Sequence, residues 1–468
     1  MTIDFKVEVE KRKEAMMEDL FSLLRINSER DDSQADDKHP FGPGPVKALE
    51  HFLAMAERDG YKTRNIDNYA GDFEFGQGDE VLGIFAHLDV VPAGSGWDTN
   101  PYEPVIKDGK LFARGSSDDK GPTMACYYAL KIIKDLGLPI SKKVRFIVGT
   151  DEESGWGDMD YYFAHNGLKD PDFGFSPDAE FPIINGEKGN ITEYLHFAGD
   201  NSGAFTLLSF AGGLRENMVP ESATAAFTAD AALADLQENL NAFTQEQGVT
   251  AELTEENGVF KLTLIGKSAH GSTPEAGVNG ATYLAKFLNQ FAFEGAAKAY
   301  LDITGNVLHQ DFAAEKLGVA YTDDKMGALS MNAGVFSFDK ESDDSTIALN
   351  FRYPQGTDAQ TIKAGLEKLE GITKVTLSEH EHTPHYVPVD DPLVATLLSV
   401  YEKQTGLKGH EQIIGGGTFG RLLKRGVAYG AMFPGYVNTM HQANEFAEVE
   451  DLYRAAAIYA EAIYELIK

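Results

Sequence analysis

Six short stretches of this chain carry residue types that bind metal ions or move protons. In residues 81–91, VLGIFAHLDVV, an apolar run delivers His87 and Asp89 two positions apart. Apolar residues without alternation read as a strand buried on both faces, so the pair at its end is carried out of the core. A neutral imidazole binds metal through one ring nitrogen, and a nearby carboxylate often takes the other N–H and fixes the tautomer. Asp118 and Asp119 follow in GSSDDKGP, ahead of the apolar helix TMACYYALKIIKDLG. Acids at a helix start are ordinary N-terminal chemistry, but two adjacent aspartates exceed what a cap needs. The run VRFIVGT ends in Asp151, Glu152 and Glu153, and DFGF leads into Ser176, Pro177 and Asp178. Three consecutive acids repel one another unless a cation or solvent separates them. His270 stands in the small-residue loop AHGSTPEAG, and His441 in MHQANEF.

The elements that must position these residues follow from the pattern around them. A strand ends in His-x-Asp, another in Asp-Glu-Glu, a third in Pro-Asp, with helical segments between. In open α/β sheets ligands bind beyond the carboxyl ends of the strands, so the clusters are expected to converge. The expected fold is an α/β domain, a mixed and largely parallel sheet flanked by helices, with an inserted α+β domain. Residues 1–186 and 386–468 form the first and residues 187–385 the insert, where antiparallel strands alternate with helices at 231–246, 279–294 and 359–370. One amphipathic helix is expected over residues 5–25, with Met16, Leu20, Leu23 and Leu24 on its buried side. The tract EHEHTPH, residues 379–385, places His380 and His382 on one strand face. At a domain boundary it reads as a solvated strand end ahead of a metal site. Residues 415–420, GGGTFG, match G-x-G-x-x-G formally, but the helix after them is short and no βαβ unit begins there. A loop that approaches a small substrate fits better.

Composition removes several classes of function. There are 73 acids against 41 bases, a formal net charge of −32, which argues against nucleic acid or an anionic membrane as partner. The single cysteine, Cys126, allows no internal disulfide and fits a reducing compartment. Its apolar neighbours make it a buried structural thiol. No stretch approaches the roughly 20 apolar residues of a membrane helix, and the expected location is the cytoplasm.

Taken together, the motifs FAHLDVVPAG, ARGSSDDKGP, GTDEESG, FSPDAEFP, GKSAHGSTPEAG and MHQANEF resemble, in order, the di-zinc peptidase family that includes aminoacylase, succinyl-diaminopimelate desuccinylase and the carnosinase-type dipeptidases. The long insert and the details RENMVP, FRYPQGTD and GGGTFGR look most like its bacterial dipeptidase V group. The resemblance implies two zinc ions, one held by His87 and Asp178, the other by Glu153 and His441, with Asp118 bridging. It implies Glu152 as general base, Asp89 as the residue orienting His87, and His270 as oxyanion stabiliser. Asn217, Arg352, Gly416, Gly417 and Thr418 would contact substrate. Mixed N/O ligands without thiolate would also accept manganese or cobalt. The implied activity is hydrolysis of short unblocked peptides, with N-acyl-amino-acid deacylation or desuccinylation on the same centre as the alternative. A non-catalytic metal- or peptide-binding protein is the alternative of another class. The length of the insert implies a monomer.

Overall fold

The computed structural model describes residues 3–468 apart from 200, 202 and 343. The chain divides into two compact units: Met1–Gly186 with Tyr386–Ile413 and Gly417–Lys468, and Glu187–His385 with Ile414–Gly416.

The first unit is built on a six-stranded sheet in the order Lys62–Ile66, Ala70–Gly76, Lys143–Gly149, Val81–His87, Phe173–Ser176, Gly426–Ala428. The first two strands run antiparallel and the last four parallel to one another. Val81–His87 lies inside the parallel set with every residue buried, which is why its sequence is apolar without alternation. Its side chains serve two cores. Leu82, Ile84 and Ala86 join Val144, Phe146 and Val148 under the helices Lys13–Leu24, Pro43–Arg58, Lys120–Asp135 and Val449–Ile467. Phe85 and Ile147 face the other way, toward Met159, Tyr162 and Phe419 of the helix Gly157–His165 and the short turn Phe419–Leu422. Cys126 is buried in the first of these cores.

The N-terminal segment is two helices, Phe5–Glu10 and Lys13–Leu24, where periodicity alone predicts one. At the break the Arg12 side chain donates to the Glu8 carbonyl at 3.0 Å, taking the place of its own amide, which bonds Val9 instead. Both helices pack into the first core, Phe5 and Val9 with the chain's last helix.

The second unit is an eight-stranded antiparallel sheet in the order Thr250–Glu256, Val259–Ile265, Ser222–Ala229, Phe205–Gly212, Ser330–Asp339, Ser345–Tyr353, Gly189–Phe197, Lys374–Leu377. Helices Leu233–Gln247, Gly280–Leu288, Gly295–Asp302 and Ala359–Leu366 share its core. The helix expected over 279–294 stops at Leu288. Phe291 and Phe293 leave it to pack on Phe205, with ring centroids 5.0 and 5.5 Å away, and the chain then enters a separate helix. Thr250–Glu256 is an exposed edge carrying three glutamates, and like charges on an edge strand discourage pairing with another chain.

Candidate metal centre

Three parallel neighbours end at one edge of the first unit's sheet, and each delivers a side chain there. His87 closes Val81–His87, Asp151–Glu153 follow Lys143–Gly149, and Asp178 follows Phe173–Ser176. Asp118 comes from the loop before helix Lys120–Asp135, and His441 from the loop before strand Phe446–Glu448. The Asp118 carboxylate stands between the two imidazoles: Oδ1 is 3.1 Å from His87 Nε2, and Oδ2 is 2.9 Å from His441 Nε2. On the His87 side Asp178 Oδ2 lies 3.5 Å from the same Nε2. On the His441 side Glu153 Oε2 lies 3.1 Å from Nε2. Asp119, the neighbour of Asp118, turns inward and accepts from the His87 amide and the Thr123 hydroxyl at 3.3 and 3.0 Å.

These distances fit metal ligands. Adjacent donors on a tetrahedral zinc stand ~3.3 Å apart, given bonds of about 2.0–2.2 Å. Ligand atoms of His87, Asp118 and Glu153 lie within 4.8 Å of one another, as do those of His87, Glu152 and Asp178. Glu153 Oε1 is buried with no hydrogen-bond partner among the described residues. Charge points the same way. Burial pushes the Glu153 carboxyl up to about 8 and raises Glu152 and Asp178 as well, with neighbouring carboxylates adding to it. Hydrogen bonds to Asp118 and Glu153 lift the His441 imidazole to about 11. Carboxylates crowded and buried this way are an electrostatic setting that a cation would relieve, and ligands of this kind release protons when they bind metal.

A second layer fixes these groups. The Asp89 carboxylate accepts from the amides of Glu152 and Glu153 at 3.2 and 3.1 Å, so it shapes the acidic turn. His87 Nδ1 contacts the Asp89 carbonyl oxygen at 3.1 Å and its carboxylate at 3.4 Å. Asp158 Oδ2 takes the amides of Thr150 and Asp151 at 2.7 and 2.9 Å, and Arg30 holds Asp151 Oδ1 at 2.6 Å. Lys120 is buried, its amine lowered to about 7 by burial, and donates to the carbonyls of Ile26 and Leu23 at 2.8 and 3.3 Å. Those carbonyls lie at the end of helix Lys13–Leu24, where acceptors lack intrahelical donors. Nothing in the sequence singles out Asp158 or Arg30. Asp158 acts on main-chain amides and Arg30 on a carboxylate that only folding brings near, and no spacing rule encodes that.

Other expected site residues lie in the second unit. Asn217 and His270 occupy adjoining loops, with the Gly271 amide donating to the Asn217 carbonyl at 2.7 Å and the Val219 amide to Ala269 at 2.9 Å. Both side chains are exposed, and His270 Nδ1 lies 2.7 Å from the Ser272 hydroxyl. Arg352 donates to the Gly415 carbonyl at 2.9 Å and to Asn350 at 3.1 Å. A Cβ on Gly415 would come within 3.2 Å of Ser272, so this loop, Arg352 and the His270 loop adjoin. Gly416 follows in the same unit, and Gly417 and Thr418 belong to the first unit. Thr418 caps the turn Phe419–Leu422 through the Gly420 amide at 3.0 Å. The tract 379–385 forms no cluster of metal-ligand type among the described residues.

Residues 83–465 match the model of peptidase family M20/M25/M40. The chain belongs to this family. A Beta-Ala-Xaa dipeptidase of Lactobacillus delbrueckii subsp. lactis is 44% identical over 472 residues, covering 100% of this chain and 99% of that protein. Human carnosine dipeptidase 1 shares the fold at 15% identity and TM-score 0.54, over 99% of this chain and 98% of that one. Aminoacylhistidine dipeptidase from Vibrio alginolyticus does so at 14% identity and TM-score 0.56, over 96% of each chain. The family accounts for the order of the motifs, and the fold likeness agrees with a mixed, helix-flanked sheet. No helix among the described residues is long and apolar enough to cross a membrane.

Proposed function

We propose that this chain is a two-metal dipeptidase acting on short unblocked peptides. The observation that carries the reading is the Asp118 carboxylate, one oxygen toward His87 and the other toward His441. That is the arrangement of a carboxylate shared between two cation sites. His87 and Asp178 would complete one site, and Glu153 and His441 the other. Two divalent ions held there, zinc by preference and manganese or cobalt as substitutes, would polarise the scissile carbonyl and make a water nucleophilic at neutral pH. Glu152 has the general base's role: it takes the proton of the attacking water and returns it to the leaving amine. Asp89 holds Glu152 in place through its amide and steadies His87. His270 donates to the carbonyl oxygen as charge develops on it. Arg352 and Asn217, with the loop Gly416, Gly417 and Thr418, hold the remainder of the substrate, the guanidinium suiting a free carboxylate.

The unit Met1–Gly186 with its C-terminal segments is thus the catalytic domain and Glu187–His385 the lid in this reading. The Lactobacillus relative is named for β-Ala-Xaa dipeptides, which extends the proposed substrate class to β-alanyl peptides. The protein is taken as a cytoplasmic monomer, and sedimentation should give a mass near 51.1 kDa. The decisive assay compares alanyl and β-alanyl dipeptides with their N-acetylated forms on metal-loaded protein, with a chelator control. Chelator-sensitive cleavage of the free peptides alone is expected. Preference for the blocked forms would replace the dipeptidase with a deacylase, and turnover of neither would leave a binding protein.

A further inference from the structure

We propose that Glu445 is the positioning residue for the metal held by Glu153 and His441, an inference that rests on the two-metal reading above. Glu445 is fully buried and its carboxylate accepts from four donors. Oε1 takes the amides of Ser117 and Asp118 at 2.9 and 3.2 Å. Oε2 takes the Gly115 amide at 3.2 Å and the Arg114 guanidinium at 2.6 Å. Its main-chain carbonyl accepts from the Ala113 amide at 3.2 Å, and the strand it precedes, Phe446–Glu448, pairs with Lys110–Phe112. Residues 113–118 therefore wrap around one carboxylate.

One of those donors is the amide of Asp118 itself, whose side chain stands between the two imidazoles. Glu445 also ends the segment that begins at His441, where His441 and Asn444 hold φ of 62° and 59°. These two ligands lie 323 positions apart in sequence, and Glu445 ties the segment of one to the amide of the other. The other site is anchored differently. His87 closes one strand of the parallel set, and Glu153 and Asp178 follow its two neighbours, so the sheet spaces these three, whereas His441, which completes the second site, is placed by the loop that Glu445 closes. The two metals thus depend on Glu445 unequally.

Substitution by glutamine tests this, because an amide offers one acceptor oxygen and turns an NH₂ toward groups that are all donors. Zinc is titrated calorimetrically into metal-free full-length protein, and cobalt is titrated in parallel with its absorption as the readout. The wild type is expected to bind in two steps. Glu445→Gln should weaken one step by about 10–100-fold, the usual effect of losing a group that orients a ligand, and leave the other unchanged. The cobalt band of the second equivalent should weaken with it. Glu445→Asp keeps the charge opposite Arg114 but withdraws the carboxylate, and should weaken the same step even if the glutamine variant does not fold. Arg114→Lys tests the alternative that the ion pair only stabilises the fold. It should lower the melting temperature and leave both binding steps intact. Two unchanged steps in both Glu445 variants, or an equal loss in both steps, would overturn the assignment. A wild type that binds no zinc stoichiometrically would overturn the two-metal reading, and this inference with it.

Discussion

Asp118 and Asp119 are chemically alike and adjacent, yet one carboxylate faces two imidazoles and the other an amide and a hydroxyl. The division of labour between Glu152 and Glu153 is closer. Glu152 offers an oxygen within 4.8 Å of ligand atoms of His87 and Asp178, near enough to serve as a ligand as well as a base. Glu152→Ala separates the two roles. We expect activity to fall by about 10²–10⁴-fold, the range for a lost acid–base group, with both metals retained. Loss of one equivalent of metal would make Glu152 a ligand. His270→Ala should lower kcat by about 10²–10³-fold, as loss of one oxyanion donor does; a change confined to KM would make it a binding residue only. Glu193 concerns stability instead. It is fully buried on Gly189–Phe197, opposite Leu349 and Leu377, and neither oxygen has a hydrogen-bond partner among the described residues. Burial raises its carboxyl to about 8; the charge of Lys363 opposes this and those of Glu367 and Glu381 add to it. The folded-state value exceeds the unfolded 4.5, so folding favours the protonated form. The penalty is absent below the unfolded value, grows as pH rises, and is complete above about 8. Glu193→Gln should leave stability near pH 4 little changed and raise it at pH 9 by on the order of 1–3 kcal/mol, after allowance for a buried amide. Equal melting curves at pH 9 would show that Glu193 finds a partner in solution.

At the scale of elements, the sheet edge does most of the positioning, and much of it was legible in the sequence. Unalternating apolar runs marked Val81–His87 and Lys143–Gly149 as strands buried on both faces, and their polar ends marked the edge. Periodicity ran through the break at Arg12 and past Leu288, because a side chain reaching back to a carbonyl and two phenylalanines repacking on Phe205 leave no mark on a hydrophobic pattern. Glu445 was visible in MHQANEF but had no readable role, since its partners are three main-chain amides and one guanidinium far away in sequence. The start of helix Lys120–Asp135 shows how closely one element sets the next. A Cβ on Gly121 would lie 2.0 Å from the Ser116 carbonyl oxygen, so helix and loop meet where only glycine fits. Gly121→Ala must push the helix off the loop that carries Asp118. We expect a loss of about 1–3 kcal/mol, the range for overpacking, together with weaker metal binding. Loss of stability with metal affinity intact would show that the loop holds its shape without the helix.

At the scale of the whole molecule, the two units share no buried core residue: the first packs both terminal helices on one face of its sheet and a smaller cluster on the other, and the second fills its antiparallel sheet. All the ligands proposed for the metals belong to the first unit, and Glu193 belongs to the second. A net charge of −32 weakens both through self-repulsion, which salt screens over about 10 Å at 0.1 M. Calorimetry at low and moderate salt should therefore show stabilisation by salt throughout. It should also resolve two transitions, because two separate cores need not unfold together. Metal stabilises the state that binds it, by about 2.7 kcal/mol at a hundred times Kd, so a chelator should lower one transition only. Glu193→Gln at pH 9 should raise the other. If chelation and Glu193→Gln move the same transition, the two units unfold as one, and the ligand set in the first stabilises the core of the second.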